Sequence, residues 1–283
     1  MGKRQDQLRR ALVTGLSLTS LSFTTAAVAS AHSPHAAAPP PSVTATPTGV
    51  AALSRSALAA DHRAVVVALG DSVPAGSGCA CRNFVSSYGD LLSRRAPHAA
   101  GVTNLAQGGA QTADVLEQLR LPAVRQALSD ATTVLLMIGA NDFYGPFRRV
   151  QGGASAATEY RAAAQRVRIN LARTISQIRS LQAGPVKIVV VGYWNVVEDG
   201  RVGRRDYGPA GVASAESATR WANHALRDAA RSGHVMYVST YKAFKGAEGR
   251  KDPTRLLTAD GDHPNAAGHR LLARTVYAPV PTG

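Results

Sequence analysis

Acid, aromatics and cysteine are all scarce in this chain, and each shortage excludes something. Its two cysteines, Cys79 and Cys81, cannot make a disulfide scaffold, and a single C-x-C pair lacks the second half of a tetrahedral zinc set. A local bridge and two free thiols are both open: the short spacing puts the Cα atoms near the upper end of what a disulfide spans, while an oxidising compartment favours closure. Neither G-x-x-x-x-G-K-[ST] nor G-x-G-x-x-G occurs, which removes the usual phosphate cradles of nucleotide enzymes. Aromatics make up 5% of residues and are not interleaved with the basic ones, and no zinc-finger or helix-turn-helix spacing is present, so nucleic acid is not an expected partner. Eighteen acidic residues stand against 32 Lys and Arg, a formal net charge of +14.

The amino-terminal region reads as targeting and tether. Lys3, Arg4, Arg9 and Arg10 precede an apolar run from Ala11 to Val28, and Ala29-Ser30-Ala31 fits an A-x-A cleavage site, which predicts a secretory signal peptide over residues 1–31. Ser and Thr interrupt the run too often for a spanning helix, which wants about 20 predominantly apolar residues. Residues 32–60 are rich in Pro, Ala, Ser and Thr and read as a disordered linker. Residues 61–283 are long enough for one domain with a sizeable core. Setting residues 1–60 aside removes five basic groups and one acidic, so the formal net charge falls from +14 to +10. A secreted protein without a stable membrane span is therefore expected, with a basic surface suited to anionic cell-surface polymers.

Apolar runs and helical patterns alternate along residues 61–283, the signature of a parallel sheet flanked by helices. The spacing predicts strands over Ala64–Leu69, Val102–Leu105, Thr133–Ile138, Val186–Val191 and Val235–Val238. A long amphipathic helix fits 156–183, another runs from Val212 to Gly233, and a last one covers Asn265 to Val276. The connection from Gly192 to Gly211 reads either as a substrate-facing loop or as a solvated excursion.

The first strand runs straight into Gly70-Asp71-Ser72, so a serine is delivered at a strand's carboxyl end, where open α/β sheets place their chemistry. Far downstream, Asp260-Gly261-Asp262-His263-Pro264 puts a carboxylate and an imidazole one turn apart. A serine hydroxyl needs a base, and the base needs a third group to hold its tautomer. Ser72, His263 and Asp260 fill those roles, with Asp262 as the rival orienter. Two further strand ends offer oxyanion donors. They are Asn104 through Ala110, with Gly108 and Gly109, and Gly139-Ala140-Asn141-Asp142. Phe143 and Tyr144, next to Asn141, are candidate walls of an acyl pocket.

These four blocks, in this order over about residues 65–275, resemble the SGNH hydrolases, the GDSL-type esterases and lipases. The resemblance implies Ser72 as nucleophile, His263 as base and Asp260 as orienter, with Gly109 and Asn141 joining the Ser72 amide in an oxyanion hole. Gly109 is taken over Gly108 because Ala110 follows it. It also implies a three-layer α/β/α sandwich, flavodoxin-like, which agrees with the five parallel strands read above, and no metal or organic cofactor. The expected function is a secreted serine esterase or lipase cleaving small-molecule or lipid esters through an acyl-serine. An O-acetyl esterase acting on a polysaccharide or cell-wall glycan is the alternative. A non-catalytic surface-binding module is disfavoured because every position the mechanism requires is occupied.

Overall fold

Four short runs of mostly Val, Leu, Ile and Met and the edge segment Gly101–Asn104 form the sheet of the computed structural model, which describes residues 63–95 and 98–278. The expected signal peptide and linker lie outside the described residues. In chain order the elements are β1 (Val65–Gly70), α1 (Ser72–Ala75), α2 (Phe84–Ser93), β2 (Gly101–Asn104), α3 (Thr112–Gln118), α4 (Pro122–Ser129), β3 (Thr133–Met137), α5 (Asn141–Gln151), α6 (Ala156–Ser180), β4 (Lys187–Val191), α7 (Gly200–Ser232), β5 (Met236–Val238), α8 (Tyr241–Lys245) and α9 (Ala266–Tyr277). A 3₁₀ turn at Thr254–Leu256 precedes α9.

The sheet order is β2-β1-β3-β4-β5 and every pairing is parallel. This is the flavodoxin-like order, in which the connection reverses direction between β1 and β3 and opens a crevice beyond their carboxyl ends. Val66 to Leu69 of β1 and all of β3 are buried, as a sheet covered on both faces requires. Each of the five expected strands is present, with ends displaced by one residue at most.

Helix α6 shows why the flanking layers stay in place. Val167, Leu171, Ile175 and Ile178 recur at steps of three and four and are at most 1% exposed, each worth roughly 1.5–3 kcal/mol relative to exposure. Its amino end is capped by Ser155, whose side chain accepts from Thr158 N.

The Gly192–Gly211 connection differs from both readings of it. Tyr193, Trp194, Val196 and Val197 are buried, with Trp194 stacked on Phe244 at 4.1 Å between ring centroids. From Gly200 onward the chain is already helical. Gly200, Gly203, Gly208 and Pro209 conceal this in the sequence, and the helix is kinked where Gly208 leaves helical geometry (φ 61°, ψ −176°). Arg201, Arg204 and Arg205 project from this first part of α7 and are exposed.

Asp199 caps α7, accepting from Gly200 N at 2.7 Å, and its carboxylate also receives Lys245 Nζ at 2.7 and 3.0 Å. Both side chains are at most 10% exposed. Removing one member of such a pair leaves an uncompensated buried charge. Lys245→Met is therefore expected to cost about 3–5 kcal/mol in chemical denaturation. A loss under about 1 kcal/mol would mean that water reaches Asp199 and the pair holds nothing.

Candidate functional site

Chain reversal at the end of β1 builds the first part of the site. A Cβ at Gly70 would collide with Met137 O, so only glycine lets β1 exit this close to β3. Asp71 N then donates to Met137 O at 3.1 Å, and the Asp71 side chain caps α1 by accepting from Val73 N at 3.1 Å. Ser72 is the first residue of that short helix. Its own N–H donates to no other group among the described residues.

Asp71 is 1% exposed, and its second carboxylate oxygen accepts from the Tyr193 hydroxyl, which follows β4. Tyr193 is held in turn by Asn223 of α7, which accepts from Tyr193 N at 2.9 Å and donates to Tyr193 O at 2.8 Å. Burial pushes the Asp71 carboxyl up to about 7, against the lowering effect of the bonds from Tyr193 and Val73. Burial and the neighbouring Asp71 raise Tyr193 well above the ordinary phenol value, so its hydroxyl stays a donor.

The second part is the 258–263 turn. Asp260 Oδ1 accepts from Thr258 Oγ1 at 2.6 Å, Asp262 N at 2.9 Å and His263 N at 3.0 Å, while Oδ2 meets His263 Nδ1 at 2.8 Å. Desolvation works to raise the Asp260 carboxyl, but these hydrogen bonds outweigh it and hold it well below the usual carboxylate range. The bond to Asp260 raises His263 above its ordinary value against desolvation, and the charges of Asp262, Asp260 and Asp71 add to the rise. Asp262 Oδ2 lies 3.9 Å from Nε2, on the opposite edge of the ring, so Asp260 is the residue that orients the imidazole. Asp199 N donates to Gly261 O at 2.8 Å, and Val202 fills the space a Cβ at Gly261 would need, so the start of α7 supports this turn.

Gly78 brings the two parts together. A Cβ built there would lie 3.0 Å from His263 Cβ and 3.1 Å from Asp260 Oδ2, so the loop leaving α1 rests against the Asp260–His263 pair. Its φ of 75° is a second demand for glycine. Cys79 and Cys81 follow, joined as a disulfide with their Cα atoms 5.1 Å apart, inside the ordinary range because the backbone bends between them.

The Gly109 and Asn141 segments are stitched to each other. Asn141 Nδ2 donates to Ala110 O at 2.9 Å, and Asp142 accepts from Thr112 N and Oγ1 at 3.0 and 2.7 Å. Asn104 Nδ2 donates to Pro74 O at 2.7 Å, tying the end of β2 to α1. Gly109, with φ 79°, has open space where a Cβ would stand, whereas a Cβ at Gly108 would face Ser77 Oγ at 3.3 Å. Neither glycine's N–H is committed to another group among the described residues.

Phe143 does not wall a pocket. It is fully buried and packs against Tyr160, because positions 143 and 147 lie one turn apart on the inward face of α5. Tyr144, beside it, is 37% exposed. Near it Tyr207 donates to Glu198, and Glu198 and Asp260 help desolvation push Asp262 up to about 6. Residue patterns passed over Asn223, Gly78 and the Asp199–Lys245 pair, and offered Tyr193 only as one aromatic of the Gly192–Gly211 connection beside Trp194 and Tyr207. Only Tyr193 carried a signal, as a tyrosine one residue past the glycine that ends β4.

The model of the GDSL-like lipase/acylhydrolase family matches residues 68–271, and the chain belongs to that family. Its class is that of ester hydrolases. It is 26% identical over 219 residues to the uncharacterized protein YpmR of Bacillus subtilis (strain 168), covering 76% of this chain and 81% of that one. Its fold is similar to the lipase Lip_vut3 from a goat rumen metagenome (TM-score 0.61, 18% identity, 75% of this chain and 95% of that one). It is also similar in fold to phospholipase A1 from Streptomyces albidoflavus NA297 (TM-score 0.51, 23% identity, 76% and 97%). A third similar fold is a mutant of Axe2, an acetyl-xylooligosaccharide esterase of Geobacillus stearothermophilus (TM-score 0.53, 19% identity, 75% and 91%).

The chain of contacts from Asn223 through Tyr193 to Asp71 ends on the turn that carries Ser72, so Tyr193 acts on that serine's placement. Tyr193→Phe keeps the ring in the core and removes only the hydroxyl. It is expected to lower kcat for a small ester by about tenfold to 10²-fold with KM little changed, since a misplaced reacting group costs rate. Steady-state kinetics decide this, and a kcat within about twofold of the parent would limit Tyr193 to packing.

Proposed function

We propose that the chain is a secreted serine esterase in which Ser72 is the nucleophile, His263 the general base and Asp260 the residue that fixes the His263 tautomer. The observation that carries this reading is the 2.8 Å contact of Asp260 with His263 Nδ1, which leaves Nε2 as the edge able to take a proton. Ser72 Oγ attacks the ester carbonyl while His263 Nε2 accepts its proton, and the tetrahedral oxyanion is met by the N–H groups of Ser72 and Gly109 and by the Asn141 amide. The intermediate collapses to an acyl-serine as His263 returns the proton to the leaving alcohol, and water then repeats the cycle to release the acid.

Export is supported by the basic, apolar and small-residue order of residues 1–31 and by the closed Cys79–Cys81 bridge, which suits an oxidising compartment. Among the described residues no helix is long and apolar enough to cross a membrane.

A second reading of the substrate, an O-acetyl ester on a polysaccharide or cell-wall glycan, is favoured by what surrounds the histidine. Asp262, Glu198, Tyr207 and Tyr144 offer carboxylates and hydroxyls rather than an apolar channel, and Phe143 and Phe147 are turned into the core. Such a rim suits a hydroxyl-rich alcohol with a short acyl group.

Ser72→Ala is expected to lower kcat by about 10⁴ to 10⁶, the scale seen when a triad member is removed from other serine hydrolases. A serine-directed phosphonate should label Ser72 and no other residue by mass spectrometry. Label elsewhere, or an active Ser72→Ala protein, would overturn the assignment.

His263 is the base only when neutral, and its bond to Asp260 raises its pKa. Activity should therefore climb through a midpoint above the ordinary histidine value of about 6.5. Asp260→Asn removes the charge and weakens the bond that raise it, so the midpoint should move to lower pH while kcat falls. A midpoint that stays in place would detach Asp260 from the catalytic ring.

A further inference from the structure

Helices α2 and α9 lie side by side and both start at the site. The loop into α2 rests on His263 through Gly78, α9 follows His263 directly, and His269 Nδ1 of α9 accepts from Phe84 N of α2 at 3.3 Å. At their far ends the Arg95 guanidinium lies 5.4 Å from the centroid of the Tyr277 ring. The helices therefore run parallel, away from the site.

Between them is a groove of about 340 Å³ with Ala266 and Ala273 in its lining and arginines along both sides, Arg82 and Arg94 from the α2 side and Arg270 and Arg274 from α9. All four arginines are exposed. Residues 82–95 and 265–278 hold five arginines and one acid, Asp90. Arg82 takes that acid in a two-pronged pair, at 2.6 and 2.7 Å. Arg94, Arg270 and Arg274 make no ion pair among the described residues.

We propose that this groove binds a linear phosphate-bearing polymer and leads it toward the Ser72 site. The charge is supplied entirely by arginine, whose planar fork matches phosphate oxygens two at a time. Arg270 and Arg274 stand about 6 Å apart along α9, and the groove from Ala266 to Arg274 is about 12 Å long, a track for several charges rather than a seat for one. A lipid surface fits less well, because among the described residues the exposed large hydrophobics are Val102, Leu121 and Tyr144, none of them on α2 or α9. The proposal deepens the esterase reading by naming a partner. It rests on that reading only in taking the end of the track to be a working site.

The test uses the full chain and inorganic polyphosphate as probe, with binding followed by fluorescence anisotropy across a salt series. One variant carries Arg94→Gln, Arg270→Gln and Arg274→Gln. The control carries Arg161→Gln, Arg168→Gln and Arg173→Gln, three exposed arginines of α6 that make no ion pair among the described residues. The groove variant should bind about tenfold more weakly or worse and lose about two to three units of salt slope, while the control stays within about threefold of the parent. Equal losses in both variants, or none in the groove variant, would overturn the groove as the site. Loss of binding to phosphatidylglycerol vesicles with polyphosphate binding intact would overturn the polymer in favour of a lipid surface. Hydrolysis of p-nitrophenyl acetate, expected to be unchanged in both variants, reports folding. It also separates the two ideas, since a parent protein that cleaves no ester defeats the esterase reading and leaves the binding result standing.

Discussion

A buried carboxylate holds the serine turn in place. Asp71 sits at the carboxyl end of the interior strand β1, almost without contact with water, and satisfies both its oxygens inside the protein, one with Val73 N and one with the Tyr193 hydroxyl. Burying such a group is costly unless its hydrogen bonds are made, so the alternatives to this geometry are disfavoured as strongly as the geometry itself is favoured. The turn carrying Ser72 is thus tied to β4 and α7, elements more than a hundred residues away in the chain. Asn223 completes the tie by closing both backbone groups of Tyr193.

The Asp260–His263 half of the site is held by a different device, close approach of backbone. Gly78 lets the loop beyond Ser72 rest on His263, and Gly261 lets the 258–263 turn rest on Val202. At Gly261 Val202 occupies the place of the missing Cβ, and at Gly78 His263 and Asp260 press to within 3.1 Å of it, so little slack remains between the pieces. The disulfide shortens the loop at Gly78 further, and Asp199, neutralised by Lys245, donates its N–H to Gly261 O. Two halves from opposite ends of the domain meet at Gly78, where a Cβ would press on His263 and Asp260 at 3.0–3.1 Å and the positive φ already favours glycine.

The legible parts of this molecule are those governed by local pattern. Central strands of a parallel sheet are continuous apolar runs, which is why β1 and β3 could be placed within a residue, and α6 declared itself through Val167, Leu171, Ile175 and Ile178. Asp260 and His263 were readable as a pair because they stand three positions apart. The start of α7 was not readable, since Gly200, Gly203, Gly208 and Pro209 argue against a helix whose support comes from Val202 packing on Gly261 and from the Asp199 cap. Phe143 was misplaced for a related reason. Adjacency to Asn141 suggested the site, but the i, i+4 partner Phe147 shows that the ring lies on the buried face. The Tyr193–Asp71 bond spans 122 residues and leaves no spacing signal.

Charge is distributed unevenly over this basic protein, and the distribution separates attraction from chemistry. Carboxylates gather around one imidazole: Asp260 and Asp262 flank the His263 ring, Asp71 adds its field, and Glu198 stands behind Asp262. Their sum favours the imidazolium form of His263. A negatively charged acyl or alcohol group would meet repulsion at the same rim, so anionic character in a substrate is tolerated only at a distance from the scissile bond. The arginines meet that condition, because they line helices that begin at the site and lead away from it. A polymer bearing phosphates along its backbone and esters on side hydroxyls would place each group where the local charge accepts it.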